Sequence, residues 1–137
     1  MNIECLEGTD KRLYELVAPL IMNPAIIRQN NNYPFKTSRK HRWYIALEDE
    51  VVLGFMPVKS ATKGLYIDNY YIRGDDESII NRLLTYILKD TYTTEPLTAI
   101  VHKRHVSAFR KSHFQTFLEL KNYDKMDYYR NTSWSDK

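Results

Sequence analysis

The stretch Gly64 to Leu88, GLYIDNYYIRGDDESIINRLLTYIL, constrains the fold of this chain more than any other. Leu65, Ile67, Tyr71 and Ile72 have the branched and aromatic composition of a pleated, half-buried strand. Ile79, Ile80, Leu83, Leu84, Ile87 and Leu88 then recur at helical spacing and form one apolar stripe. A strand feeding directly into a helix is a natural anion site, because the first helical N–H groups have no partner inside the helix. The turn between them carries Asp75, Asp76 and Glu77, where a phosphate-binding loop wants glycine.

A chain of 137 residues can bury one core. Its 43% hydrophobic and 27% charged residues are ordinary for a globular protein, and a net charge of +3 is too small to imply nucleic-acid binding by itself. The start Met1-Asn2-Ile3-Glu4 lacks the basic and apolar segments of a signal peptide, and no apolar run reaches membrane-spanning length. The single cysteine, Cys5, excludes an internal disulfide and fits a reducing compartment. A cytoplasmic protein without a membrane partner is expected.

The alternation of Trp43, Ile45 and Leu47 against Tyr44, Ala46 and Glu48 predicts a strand, and Glu48-Asp49-Glu50 turns it into a hairpin with Val51 to Val58, whose pairing should end at Pro57. Ile3 to Leu6 reads as a first strand. Thr9 is expected to cap a helix carrying Leu13, Leu16, Val17, Leu20 and Ile21, which Asn23-Pro24 breaks; Pro24 opens a second short helix through Arg28. Gln29 to Arg42, with its asparagine run and basic cluster, reads as a mobile loop. Tyr92 to Pro96 reads as a loop and Leu97 to Val101 as a buried strand. Val106, Phe109, His113, Phe114 and Phe117 predict a last major helix, and Leu118 to Leu120 and Met126 to Tyr129 a final strand pair. The interleaving predicts a three-layer α/β/α domain over residues 1–130, with helices on both faces of a mixed sheet, and a polar tail at 131–137 that Trp134 anchors.

Three local motifs occur in an order and spacing that resembles the GNAT (GCN5-related N-acetyltransferase) superfamily: Glu48-Asp49-Glu50-Val51-Val52-Leu53-Gly54-Phe55, Tyr66-Ile67-Asp68-Asn69-Tyr70-Tyr71-Ile72, and His105-Val106-Ser107-Ala108. The resemblance spans about Leu13 to Tyr129. It implies the family's mixed, mostly antiparallel sheet, an acetyl-CoA donor, and a small-molecule or peptide amine as acceptor. It also implies that the central strand, Tyr66 to Ile72, splays from its neighbour to admit the pantetheine arm, with donor contacts at Tyr71, Ile72, Arg73, Ser78 and Ile79: the strand backbone pairs with that arm, and the helix start meets the pyrophosphate. Arg73-Gly74 departs from the family's glycine-rich loop by continuing Asp75-Asp76-Glu77-Ser78-Ile79-Ile80. Asp75 or Asp76 suits an N-cap and the acids suit the helix dipole. Where the family carries a tyrosine on its last helix, this chain has Ser112 beside His113.

Transfer to an amine requires a base. Asp68, on the central strand, and His105, at the entry to the last helix, are the candidate catalytic residues, with Glu48 and His102 nearby; a solvated carboxylate and a helix-entry histidine are the plainer alternatives. No ligand motif for a metal is present. Lys36, Arg39, Lys40, Arg42, Lys103, Arg104, Arg110 and Lys111, interleaved with Tyr33, Phe35, Trp43 and Phe109, could grip phosphates and stack bases, or form a solvated face. Two functions therefore stand open: an acetyltransferase, or a catalytically inactive GNAT-fold module that has lost acetyl-CoA and binds nucleic acid or a protein partner. An exposed edge among the last strands makes either a monomer or a homodimer consistent with the sequence.

Overall fold

The computed structural model describes residues 1–91 and 96–129. The expected loop at 92–95 and the tail at 131–137, with Trp134, lie outside the described residues. In chain order the elements are β1 (Asn2–Glu7), α1 (Lys11–Ile21), α2 (Pro24–Gln29), β2 (His41–Glu48), β3 (Val51–Ala61), β4 (Gly64–Ile67), β5 (Tyr71–Ile72), α3 (Glu77–Asp90), β6 (Leu97–His102), α4 (Val106–Lys111), β7 (Gln115–Glu119) and β8 (Tyr123–Tyr128).

The strands form one sheet in the order β1-β2-β3-β4-β6-β8-β7, with β5 also on β3. Among the described residues only the β4–β6 pair is parallel. The expected mixed, mostly antiparallel sheet is therefore present. Alternation along β2 divides the core as the sequence predicts. Trp43, Ile45 and Leu47 pack with Leu13 and Val17 of α1 and with Phe55. Tyr44 and Ala46 face the larger cluster built on Ile79, Ile80, Leu83, Leu84 and Ile87 of α3 and Val106, Ala108 and Phe109 of α4. Helices thus cover both faces. Burying the five α3 side chains contributes on the order of 10 kcal/mol before the entropy of ordering them.

Several boundaries differ from the sequence reading, each for a local reason. Asp10, not Thr9, caps α1: its carboxylate accepts the Arg12 N–H at 2.8 Å. The last helix stops at Lys111 instead of running to Phe117. His113 takes φ 71°, its N–H reaches Arg110 O at 2.9 Å, and the Phe114 N–H reaches Phe109 O at 3.1 Å. This is a Schellman cap, closed by an edge-on Phe109–Phe114 contact at 5.3 Å. Phe117 belongs to β7 and is exposed. Asn31 (φ 55°) ends α2 the same way, with Asn31 N–H to Arg28 O and Asn32 N–H to Ile27 O. The asparagine run is a helix cap, because asparagine tolerates the left-handed region.

Gly54 stands where β5 and α3 approach β3 most closely. A Cβ there would lie 2.8 Å from Tyr71 O and 3.2 Å from Ile79 Cγ2. Gly54→Ala is expected to destabilise the protein by about 1–3 kcal/mol. Urea unfolding should show a lower midpoint at unchanged slope.

Candidate active site

β4 and β6 run side by side for three pairs, Leu65↔Leu97, Tyr66↔Thr98 and Ile67↔Ala99, and then part. Pro57 explains where. The Ser60 N–H points to β2, bonding Lys40 O at 2.9 Å, so by strand alternation Pro57 faces the β4 side. It has no N–H to offer there. Tyr66 pairs with Lys59 but Tyr71 pairs with Phe55, so one extra residue bulges out within Asp68-Asn69-Tyr70. Pairing of β3 with β2 continues past Pro57 to Lys59, which corrects the expectation that the strand ends there; the break falls on the other edge. Beyond Ile67 the chain resumes as β5, held only by β3 among the described residues, while β6 continues to His102 on β8. The splaying that the resemblance implies for Tyr66 to Ile72 is present, made by an interrupted strand, β4 then β5, rather than a continuous one.

A hydrogen-bonded polar cluster fills the fork. Tyr70 is buried, and its oxygen accepts the His102 backbone N–H at 3.2 Å while its hydroxyl lies 2.7 Å from His105 Nδ1. His105 Nε2 lies 2.7 Å from Asp75 Oδ1, which also accepts Arg104 Nε–H at 2.8 Å. The phenol therefore donates to Nδ1, and Nε2–H donates to Asp75. His102 Nε2 meets Asn30 Oδ1 at 2.8 Å. Since the Asn30 amide already donates to Tyr33 O and Asn69 Oδ1, Nε2 carries the proton, and the buried His102 Nδ1 is left as an acceptor without a partner. Of the four buried polar or charged residues described, Asn30, His102 and His105 lie here, and Asp124 bonds Lys103 and Thr116 elsewhere. The fork is where this fold concentrates its buried polar chemistry.

Burial sets the protonation states. It raises the Tyr70 phenol, the His102 N–H lowering it only in part, so the phenol stays protonated. Burial, then the charges of Arg104 and His105, pushes His102 down to about 4. Burial also lowers His105 against the pull of Asp75. Burial works upward on Asp75, but the Arg104 and His105 hydrogen bonds outweigh it and hold the carboxyl below its usual range. At neutral pH the cluster holds two neutral imidazoles behind one Asp75–Arg104 ion pair at its mouth. The space left inside is about 10 Å³, room for a single water.

His105 is thus in the cluster. Asp68 is not: it sits exposed in the bulge and lines a separate cleft on the α1–α2 face. Tyr71 turns its ring to Phe55 on that same face, 5.6 Å away, and Ile72 is buried in the core under α3. Arg73 is exposed in a short 3₁₀ turn. Ser78 donates both its N–H (2.9 Å) and its hydroxyl (2.7 Å) to the Asp76 carboxylate, and the buried Ile79 gives its N–H to Asp76 O. Asp76 is the N-cap of α3, so the helix end that would hold a phosphate is occupied by its own side chain. Glu77 pairs with Lys111. All three acids of the turn have protein partners. Ser112 is the C-cap of α4, its hydroxyl 3.4 Å from Asn81 Oδ1. Trp43 and Phe109 are buried, Arg42 is tied to Glu7 and Asp90, and Lys103 to Asp124, so these members of the basic–aromatic set are unavailable for stacking or phosphate contact. Tyr70, Asn30 and Asn69 carry no sequence signal that marks them as site residues.

The same fold occurs in ElaA from Escherichia coli (TM-score 0.72, 12% identity, covering 93% of this chain and 99% of that one). It occurs in an acyl-CoA N-acyltransferase from Pseudomonas aeruginosa (TM-score 0.68, 12% identity, 93% and 99%). The Campylobacter jejuni N-acetyltransferase PseH in complex with acetyl coenzyme A aligns at TM-score 0.58 and 14% identity over 95% of this chain and all of that one. No protein-family model and no curated sequence matches the chain. At these identities the likeness establishes the fold, and that fold is the GNAT fold anticipated from the motifs.

A histidine held below its unfolded value of 6.5 is a proton the unfolded chain binds and the folded one refuses. Stability is therefore fully present above about pH 6.5 and falls as pH drops toward 4, by on the order of 3 kcal/mol for His102. His105 adds to the loss in the same direction. Denaturant unfolding between pH 7 and 4 should show this slope, and His102→Gln should flatten it.

Proposed function

We propose that the chain is an N-acyltransferase that moves an acyl group, acetyl from acetyl-CoA as the expected donor, onto the amine of a small-molecule or peptide acceptor. The observation that carries this reading is the Asp75–His105–Tyr70 relay at the one place in a GNAT fold where two parallel strands part. The donor supplies an acyl group activated as a thioester. The β5 edge at Tyr71–Ile72, unpaired on its fork side among the described residues, is the backbone available to its arm, with Arg73 of the adjoining turn and Arg104, bonded to that turn's Asp75, as exposed arginines. Fit is incomplete in the folded state: Tyr70 occupies the fork, and α3 is capped by Asp76. Admission of the arm requires the Tyr70 ring to shift, and the relay operates only where its hydroxyl keeps or regains His105 Nδ1.

The relay has the polarity of an acyl-transfer triad. His105 Nδ1 can take the Tyr70 proton while the phenol oxygen takes one from the attacking amine. Asp75 then balances the imidazolium. Were a thioester held beside Tyr70, the proton returned through the phenol would be available to its thiolate leaving group, so that forming the N–C bond and breaking the C–S bond would leave no net charge. Asp68, on the same bulge, can hold the acceptor's ammonium form before it is deprotonated.

A second reading, a catalytically inactive GNAT-fold module, is favoured by one observation: the three turn carboxylates and the 10 Å³ interior leave little accommodation for a pyrophosphate or a pantetheine arm. Calorimetry with acetyl-CoA and coenzyme A separates the two. Heat at sub-millimolar ligand, with thiol release on adding an amine, is expected for the enzyme; no heat at ~1 mM sinks the acetyl-CoA reading. In the active case Tyr70→Phe should lower kcat by about 100-fold or more with little change in donor KM.

A further inference from the structure

A second cleft, of about 190 Å³, opens on the α1–α2 face beside the fork, between the strap Tyr33–Lys36 and strands β3 and β4. The strap is fixed. Its Tyr33 and Pro34 carbonyls accept the Asn69 amide at 3.3 and 3.2 Å, and Tyr33 O accepts Asn30 Nδ2 at 2.8 Å. Phe35 seats it edge-on against Phe55 at 5.2 Å. Tyr33 and Tyr66 give the cleft ring walls.

The charges of this cleft are unlike those of the fork. Every acid of the fork's turn has a protein partner, whereas the Lys36, Lys59 and Asp68 side chains line the cleft with no ion pair or hydrogen bond to another described residue. His41, between them, feels both: burial and Lys59 lower its pKa and Asp68 raises it. Unpaired charges of both signs around one concave, ring-walled space suit a ligand that brings both signs itself. The volume is close to the ~150 Å³ of a cavity that holds one benzene.

We propose that this cleft is the acceptor site, and that the acceptor is a small amine built on a single ring whose other end carries an anionic group. Asp68 takes the ammonium, Lys36 and Lys59 take the anion, and Tyr33 and Tyr66 flank the ring. Asp68 stands two residues before Tyr70 on the bulge, so an amine held there lies at the threshold of the fork. The catalytic sense of this assignment rests on the acyltransferase reading; the binding itself does not.

The test uses the full chain without any acyl donor, titrated by calorimetry and by amide-resolved NMR with 4-(aminomethyl)benzoate, benzylamine and benzoate. The first probe carries both charges on one ring, and the others carry one each. It should bind roughly tenfold more tightly than either, with shifts centred on Tyr33, Tyr66 and Asp68. Lys59→Ala and Lys36→Ala should weaken the two carboxylate probes roughly three- to tenfold, and Asp68→Asn the two amine probes. All three are surface changes, and retained unfolding midpoints confirm that the variants are folded. Equal binding of the three probes, binding of none at ~10 mM, or indifference to the three substitutions overturns the proposal. Selective binding together with silence toward acetyl-CoA would count against the acyltransferase reading and leave this one standing.

Discussion

The Tyr70 hydroxyl is the contact on which the rest of the fork depends. Parting two strands strands their backbone groups, and a buried N–H left alone costs about 1–3 kcal/mol. Tyr70 reaches the His102 N–H across the gap and passes its own proton bond to His105, which passes one to Asp75. The chain of bonds thus runs from a buried backbone amide to solvent. Only its outermost link is charged, and that link is half exposed, with Arg104 against it. The interior stays neutral because burial strips an imidazolium of its hydration, and at His105 that cost outweighs the pull of Asp75, a carboxylate shared with Arg104. A fork that needed glycine and open space to admit a ligand is instead closed by a phenol.

The acidic turn follows the same logic at the end of α3. A helix N-terminus attracts an anion, and here the chain supplies one through Asp76. Asp75 and Glu77 turn to Arg104 and Lys111, from the segment that opens α4 and from its last turn. The turn therefore ties α3 to the α4 region by charge. An incoming pyrophosphate would meet a helix end already capped by Asp76, whose charge adds ~1 kcal/mol or more of repulsion when partly desolvated. Arg104 and Lys111 offset Asp75 and Glu77, and Arg73 is the turn's remaining exposed cation.

The two faces of the sheet, the stripe of α3 and the strand–turn–helix unit were legible because burial imposes periods of 2 and 3.6 on long segments. Residue patterning by itself did not place the fork. A one-residue bulge preserves the composition of a strand while changing which side chains point where, and only the partner strand, through Pro57, marks its position. Tyr70 meets His102 and His105 across 32 and 35 residues of sequence, a separation that local patterning does not encode. The overlong last helix has a similar cause: Val106, Phe109, His113 and Phe117 keep helical spacing in the sequence, but the chain leaves the helix through a left-handed His113 that brings Phe114 back onto Phe109. Histidine at His105 was legible as proton-transfer chemistry. Its carboxylate, Asp75, was read only as a capping residue.

The fork and the cleft share three consecutive residues. Asp68 lines the cleft, Asn69 binds the strap that roofs it, and Tyr70 closes the fork. Neither site can change without the other, since Asn69 also bonds Asn30, and Asn30 holds His102. Removing Tyr70 from the fork exposes a donor at His102 N–H and an acceptor at His105 Nδ1, and these set the terms for whatever replaces it. An entering group must accept from the first and donate to the second, or leave both unsatisfied at several kcal/mol. An amide meets both demands and a hydrocarbon chain neither. The unpartnered His102 Nδ1 adds a further acceptor at the same depth. The closed fork therefore selects on hydrogen-bonding pattern as much as on size.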